Sequence, residues 1–88
     1  MRFIEYQGHN TLSFRQLDEL NGLAKGTTFR LFKRCVDLEE GVDFFYLPAE
    51  EHADAIAAWR EQGLIYPASV NVVLVTEAGY RKLQQAGG

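Results

Sequence analysis

Four cations, Lys25, Arg30, Lys33 and Arg34, stand within ten residues of this chain with no anion among them. On a helix, where side chains share a face at three- and four-residue intervals, Thr27, Arg30, Lys33 and Arg34 project together while Thr28, Leu31, Phe32 and Cys35 turn inward. Such a face does non-covalent chemistry: its charges neutralise phosphates, and arginine can donate two parallel hydrogen bonds to guanine. Arg30, with Lys33 or Arg34, is expected nearest base edges, and Lys25 and Thr27, at an amide-rich helix start, suit phosphate contacts. Arg15 sits just inside the first turn of a preceding helix, where a cation is disfavoured unless an anion such as phosphate compensates. The competing reading is that two amphipathic helices close a core and that their cations, Arg15 included, merely face solvent.

Covalent chemistry has less to work with. His9, His52 and Cys35 have no metal-ligand spacing, and Cys35 reads as a buried structural thiol. Ser13 and Ser69 have no histidine and acid in a readable triad, and no glycine-rich phosphate loop precedes a helix. Asp18-Glu19, Glu39-Glu40 and Glu50-Glu51 look like solvated surface, because adjacent helical residues do not face each other. Arg81 and Lys82 are read as complementing the negative end of a last helix. The expectation is a binding domain without enzymatic activity, cofactor, metal or small-molecule substrate.

Charge is distributed unevenly. The chain carries −3 overall, which alone speaks against a nucleic-acid partner, yet residues 1–34 hold six cations against three anions and residues 35–88 hold three against nine. A basic first third is followed by an acidic remainder. At 88 residues there is material for one core only, and six Phe, four Tyr and one Trp can fill it without a disulfide, which the single cysteine could not form internally. No run of eighteen apolar residues exists, and residues 1–9 alternate instead of leading into an apolar signal segment; a cytoplasmic protein without a membrane partner is expected.

The elements that position the cations can be read in turn. Residues 3–12 suggest strand, turn and strand, with Gly8-His9-Asn10 as the turn. Ser13 and Gln16 form a capping box for a helix over 14–20, with Leu12 packing back on Leu17, and Phe14, Leu17 and Leu20 share a face that needs a partner. Asn21-Gly22 stops this helix, and the short connection forces a steep crossing by a second helix spanning about 25–36, its start between Ala24 and Thr27. A connector over 37–41 leads to a strand over 42–47. Pro48, Glu50 and Glu51 open a third helix to about Gln62, with alanines allowing close packing on both sides and Ile56 and Trp59 as core candidates. Residues 64–69 read as a loop, 70–75 as a strand pairing with 42–47, and Thr76 as the cap of a last helix over 77–85 before an end at Gly87-Gly88 expected to fray.

Leu12-Ser13, Arg15-Gln16-Leu17, Glu19-Leu20, Gly22-Leu23 and Phe32-Lys33-Arg34, followed by Glu40-Gly41-Val42-Asp43-Phe44-Phe45, Leu47, Glu50-Glu51 and Thr76-Glu77-Ala78-Gly79, together resemble the ORF6N-type domain of phage antirepressor-like proteins, a relative of the KilA N-terminal group. The resemblance implies a phage or prophage regulator with a winged or wing-like helix-turn-helix that binds DNA, Thr27, Arg30, Lys33 and Arg34 lying on the DNA-facing helix and Phe32 on its core side. The chain departs from the pattern at Ala24, where the family more often has a polar capping residue; this shifts the start of the second helix toward Thr27. Family domains also usually precede another module, whereas this chain ends at Gly88.

The expected architecture is therefore a single α+β domain of winged helix-turn-helix type with a small β element, binding double-stranded DNA. A module this small buries little DNA-facing area, so a homodimer or a cooperating regulatory protein is expected to add specificity, with Phe29, Tyr46 or Trp59 as possible contacts. The alternative is a protein-interaction or adaptor domain that uses the acidic half against a basic partner.

Overall fold

The computed structural model describes residues 2–87. Strands β1 (Ile4–Tyr6) and β2 (His9–Ser13) lead into helix α1 (Phe14–Leu20) and helix α2 (Thr27–Arg34). Strand β3 (Phe44–Leu47), helix α3 (Ala49–Glu61), strand β4 (Val72–Val75) and helix α4 (Glu77–Gly87) follow. Gly88, half of the end expected to fray, lies outside the described residues. The fold is α+β, with one antiparallel sheet ordered β1-β2-β4-β3.

The first hairpin turns one residue earlier than its sequence suggests. Tyr6 pairs with His9 across Gln7-Gly8, and both turn residues have positive φ (48° and 79°), the geometry whose twist matches two antiparallel strands. His9 and Asn10 thereby belong to β2, not to the turn. The capping box forms as expected: the Ser13 hydroxyl accepts from the Gln16 amide and the Gln16 side chain accepts from the Ser13 amide.

β4 is the hinge of the architecture. It pairs with β3 from Phe44–Val75 to Leu47–Val72, as its sequence suggests, and on its other edge with β2 through Leu12–Val75 and Ser13–Leu74. Both faces of this strand are covered, Val72 and Leu74 by one core and Val73 and Val75 by another, which accounts for its unbroken Val-Val-Leu-Val. Val72 and Leu74 face one core with Ile4, Phe45, Leu47, Ile65 and, from α3, Ile56. Val75 faces another with Leu12, Leu17 and Leu83, flanked by Phe32 and Val73. Helix α3 thus covers one side of the sheet, and α1, α2 and α4 cover the other.

Two packing expectations are corrected. Leu20 is 44 % exposed: Phe14 and Leu17 define the inward face of α1, and Leu20 falls outside that arc while Asp18 falls within it. Helix α3 packs through one side only, since Ala53, Ala57 and Ala58 are exposed, Ile56 is buried and Trp59 half-buried. Pro48 is the residue before that helix and not its first, and Asn71 Oδ1 accepts from the Ala49 amide at 2.9 Å.

Candidate nucleic-acid interface

One buried carboxylate ties α1 to the start of α2. Asp18, in the last turn of α1 and 1 % exposed, accepts from the Gly26 amide (2.9 Å), the Thr28 amide (2.8 Å), the Thr28 hydroxyl (2.7 Å) and the Tyr66 hydroxyl (2.5 Å). Helix α1, the start of α2 and the loop after α3 therefore meet on a single side chain. Burial pushes the Asp18 carboxyl up, but the hydrogen bonds from Tyr66, Thr28 and Gly26 outweigh it and hold the group below its ordinary value. Tyr66 responds in the opposite sense, its phenol pushed up to about 12 by burial, the bond to Asp18 and the Asp18 charge. Asp18 is thus not the solvated surface residue that its neighbour Glu19 is. Its sequence signal was its place beside Leu17 on the inward arc of α1, ahead of a helix start with no side-chain cap of its own.

Helix α2 begins at Thr27, later than the earliest expected start, because Gly26 takes a left-handed conformation (φ 89°) that only glycine adopts without strain. It ends at Arg34, two residues short of Val36, where Cys35 is already extended. Thr28 is buried; Leu31, Phe32 and Cys35 are half-buried against the second core. Cys35 is accordingly a partly covered packing residue. Ring contacts tie this side of the helix down: Phe14 lies 5.2 Å from Phe32, and Phe32 lies 5.0 Å edge-on from Phe44.

The cations of the opposite side fall into two groups. Arg30, Lys33 and Arg34 are exposed, and none takes part in a salt bridge among the described residues. Arg30 donates to the Thr27 hydroxyl at 3.3 Å, and the Lys33 ammonium lies 5.5 Å from the centre of the Phe29 ring. Arg15 is held by the protein itself: it donates to the Ile65 carbonyl (3.2 Å), approaches Glu19 (3.4 Å) and lies over the Tyr66 ring. Its anionic partner, Glu19 one turn further along α1, is a protein group. Lys25 is exposed, its ammonium 5.2 Å from the centre of the same Tyr66 ring. Thr27 is half-buried and donates its hydroxyl to the Ala24 carbonyl.

The start of α2 offers less to a phosphate than expected, because the Gly26 and Thr28 amides are taken by Asp18 and the Thr27 amide by the Ala24 carbonyl. Arg2 donates to Gln62 at the end of α3 and does not extend the α2 patch. Lys82 has a structural task instead of a helix-end one: it donates to the buried Asp43 at 2.7 Å, which holds that carboxyl below and the ammonium above their ordinary values. His9 lies against Phe45 and His52 against Tyr6, both on the α3 side of the sheet, and no metal-competent cluster occurs among the described residues.

Beside α2 lies an open groove of about 600 Å³, floored by Val72 and Val73 and walled by Phe14, Phe29, Tyr46 and Tyr66. Phe29 and Tyr46 are 46 % and 44 % exposed, so two of the three aromatics expected to be available for contacts are open while Trp59 is half-covered. Comparison of the chain with family models, curated proteins and solved structures found no match.

Proposed function

We propose that this domain binds double-stranded DNA through the outward side of α2, as a winged helix-turn-helix regulator of the phage antirepressor type. The observation that carries this reading is the set Arg30, Lys33 and Arg34: three exposed cations on one short helix, without a carboxylate in salt-bridge reach among the described residues. A helix with its side chains is about 10–12 Å across, which a major groove about 12 Å wide admits, and the eight residues of α2 supply about 12 Å of its length. Helix α1 and the Asp18 hydrogen bonds hold it at a fixed angle, which a reading helix requires. The wing would be the β3–β4 pair, connected by α3 in place of a hairpin tip.

The placement of four acids supports the same reading. Glu50, Glu51, Asp54 and Glu61 are exposed on α3, across the sheet from α2, where they limit indiscriminate phosphate binding, while Glu19 and Glu77 on the α2 side pair with Arg15 and Arg81. The resemblance of residues 12–34 and 40–51 to ORF6N-type domains supports a role in phage or prophage regulation, and a dimer or cooperating protein would enlarge the small contact area.

A titration against mixed duplex DNA over a series of salt concentrations tests this. Binding should weaken steeply with salt, and it should disappear in a folded variant carrying R30A, K33A and R34A. Absence of binding by the unaltered domain at low salt would sink the proposal. The exposed acids of α3 would then favour an adaptor that meets a basic protein.

A further inference from the structure

The groove beside α2 combines aromatic rings with cations on one rim, and it is lined by no carboxylate. Arg15 and Lys25 line it directly and lie over the Tyr66 ring at 5.6 and 5.2 Å. Arg30 closes on the same rim, since its Nη1 stands 3.3 Å from where a Cβ on groove-lining Gly26 would sit. Lys33 lies over the ring of Phe29, which also lines the groove. Two cations therefore line a cleft whose other surfaces are mainly apolar, Arg15 being also paired with Glu19, and two more, Arg30 and Lys33, stand against its lining residues from outside. An occupant must present a flat apolar face to the rings and negative charge to the rim.

An unpaired base with its flanking phosphates has that shape and charge. Base–aromatic stacking is tolerant of sequence because every base has a π-face, and a cationic border tracks the backbone on either side. A volume of about 600 Å³ lies within the ordinary range of ligand sites and leaves room for one nucleotide. Arg30 and Lys33, exposed on α2 outside the groove lining, favour a strand over a free nucleotide, because a strand carries phosphates beyond the cleft.

We infer that the groove between the start of α2 and β3–β4 captures an unpaired nucleotide of a single DNA strand, stacking its base on the exposed Phe29 and Tyr46 rings. This rests on the preceding reading only in taking the cations of α2 for a phosphate-contacting surface.

Fluorescence anisotropy with labelled oligothymidylate and with a duplex of equal length separates the two. Replacing the exposed Tyr46 by alanine should weaken binding of the single strand by roughly 5- to 150-fold, several-fold more than it weakens binding of the duplex, and Tyr46→Phe should restore it. A strand containing 5-iodouracil, irradiated with the unaltered domain, should crosslink to Phe29, Tyr46 or Tyr66, a readout that needs no variant to fold. Duplex binding without single-strand binding, equal weakening of both by Tyr46→Ala, or crosslinks confined to residues outside the groove would overturn the inference and leave the duplex reading intact. Thymidine monophosphate binding as tightly as the strand would overturn the strand as occupant. Failure of both nucleic acids to bind would remove both readings together.

Discussion

Asp18 and Asp43 are both 1 % exposed, and each ties a loop to a helix, yet they are neutralised in different ways. Asp18 is surrounded by neutral donors from Gly26, Thr28 and Tyr66 and has no cation in hydrogen-bond contact. Asp43 receives the Glu39 amide and the Lys82 ammonium on Oδ2, while its Oδ1 is buried without a partner among the described residues. Short directional bonds from two segments, the start of α2 and the loop after α3, specify where each must lie against α1. One flexible lysine, whose side chain is 40 % exposed, supplies charge but little direction. Precision is therefore concentrated where α2 is set against α1. The Asp43 side relies more on its backbone, whose carbonyl receives both the amide and the hydroxyl of Thr76.

That contrast is tested most severely by Asp18→Ala. It strips the partner from two amides and two hydroxyls at once, and buried donors left unsatisfied cost about 1–3 kcal/mol each before water or rearrangement relieves some of them. A loss of about 3 kcal/mol or more in denaturant unfolding is expected, with weaker DNA binding by whatever remains folded. A loss below about 1 kcal/mol would show that the carboxylate does not organise the helix pair. On the Asp43 side the matching probe is Gly79→Ala, because a Cβ there would stand 2.0 Å from the Asp43 carbonyl oxygen. Alanine is the better helix former by about 1 kcal/mol, but this overlap forces α4 away from the loop, so a net loss of about 2–3 kcal/mol is expected by calorimetry. Unchanged or raised stability would mean that the two backbones are not in close contact.

Much of the scaffold is legible in the sequence because its signals are local. Ser13 with Gln16, the glycine after Asn21, and Thr76 ahead of the last helix each act within a few residues, and each element they bound forms. The cations of α2 are legible for the same reason, since helical spacing alone separates them from Thr28 and Phe32. The β2–β4 pairing joins segments some sixty residues apart, and although Val72-Val73-Leu74-Val75 announces two covered faces, it names no second partner. Asp18 was hidden by its neighbour Glu19, which is exposed, and by the distance to Tyr66, whose hydroxyl returns from the far side of α3. The groove was illegible as a unit, because Phe14, Lys25, Tyr46 and Tyr66 converge only once the sheet has formed.

The finest division of the comparison comes from Tyr66→Phe, which removes one of the four donors to Asp18 and keeps the ring beneath Arg15 and Lys25. A cost of about 1–2 kcal/mol near neutral pH is expected. The pH profile carries more information than that loss. Both carboxyls lie below their ordinary value of 3.8, so their contributions are complete above it and are lost as pH falls through the lowered values. Tyr66 is raised from 10.0 to about 12, so its contribution is complete below pH 10 and is lost between those limits. Lys82, raised above 10.5, adds a second alkaline decline that belongs to Asp43. In Tyr66→Phe the alkaline fall should shrink to the part due to Lys82, and the acid fall should move to higher pH because Asp18 has lost a donor. An alkaline limb identical to that of the unaltered protein would separate Tyr66 from Asp18 and leave the helix pair held by the Gly26 and Thr28 donors alone.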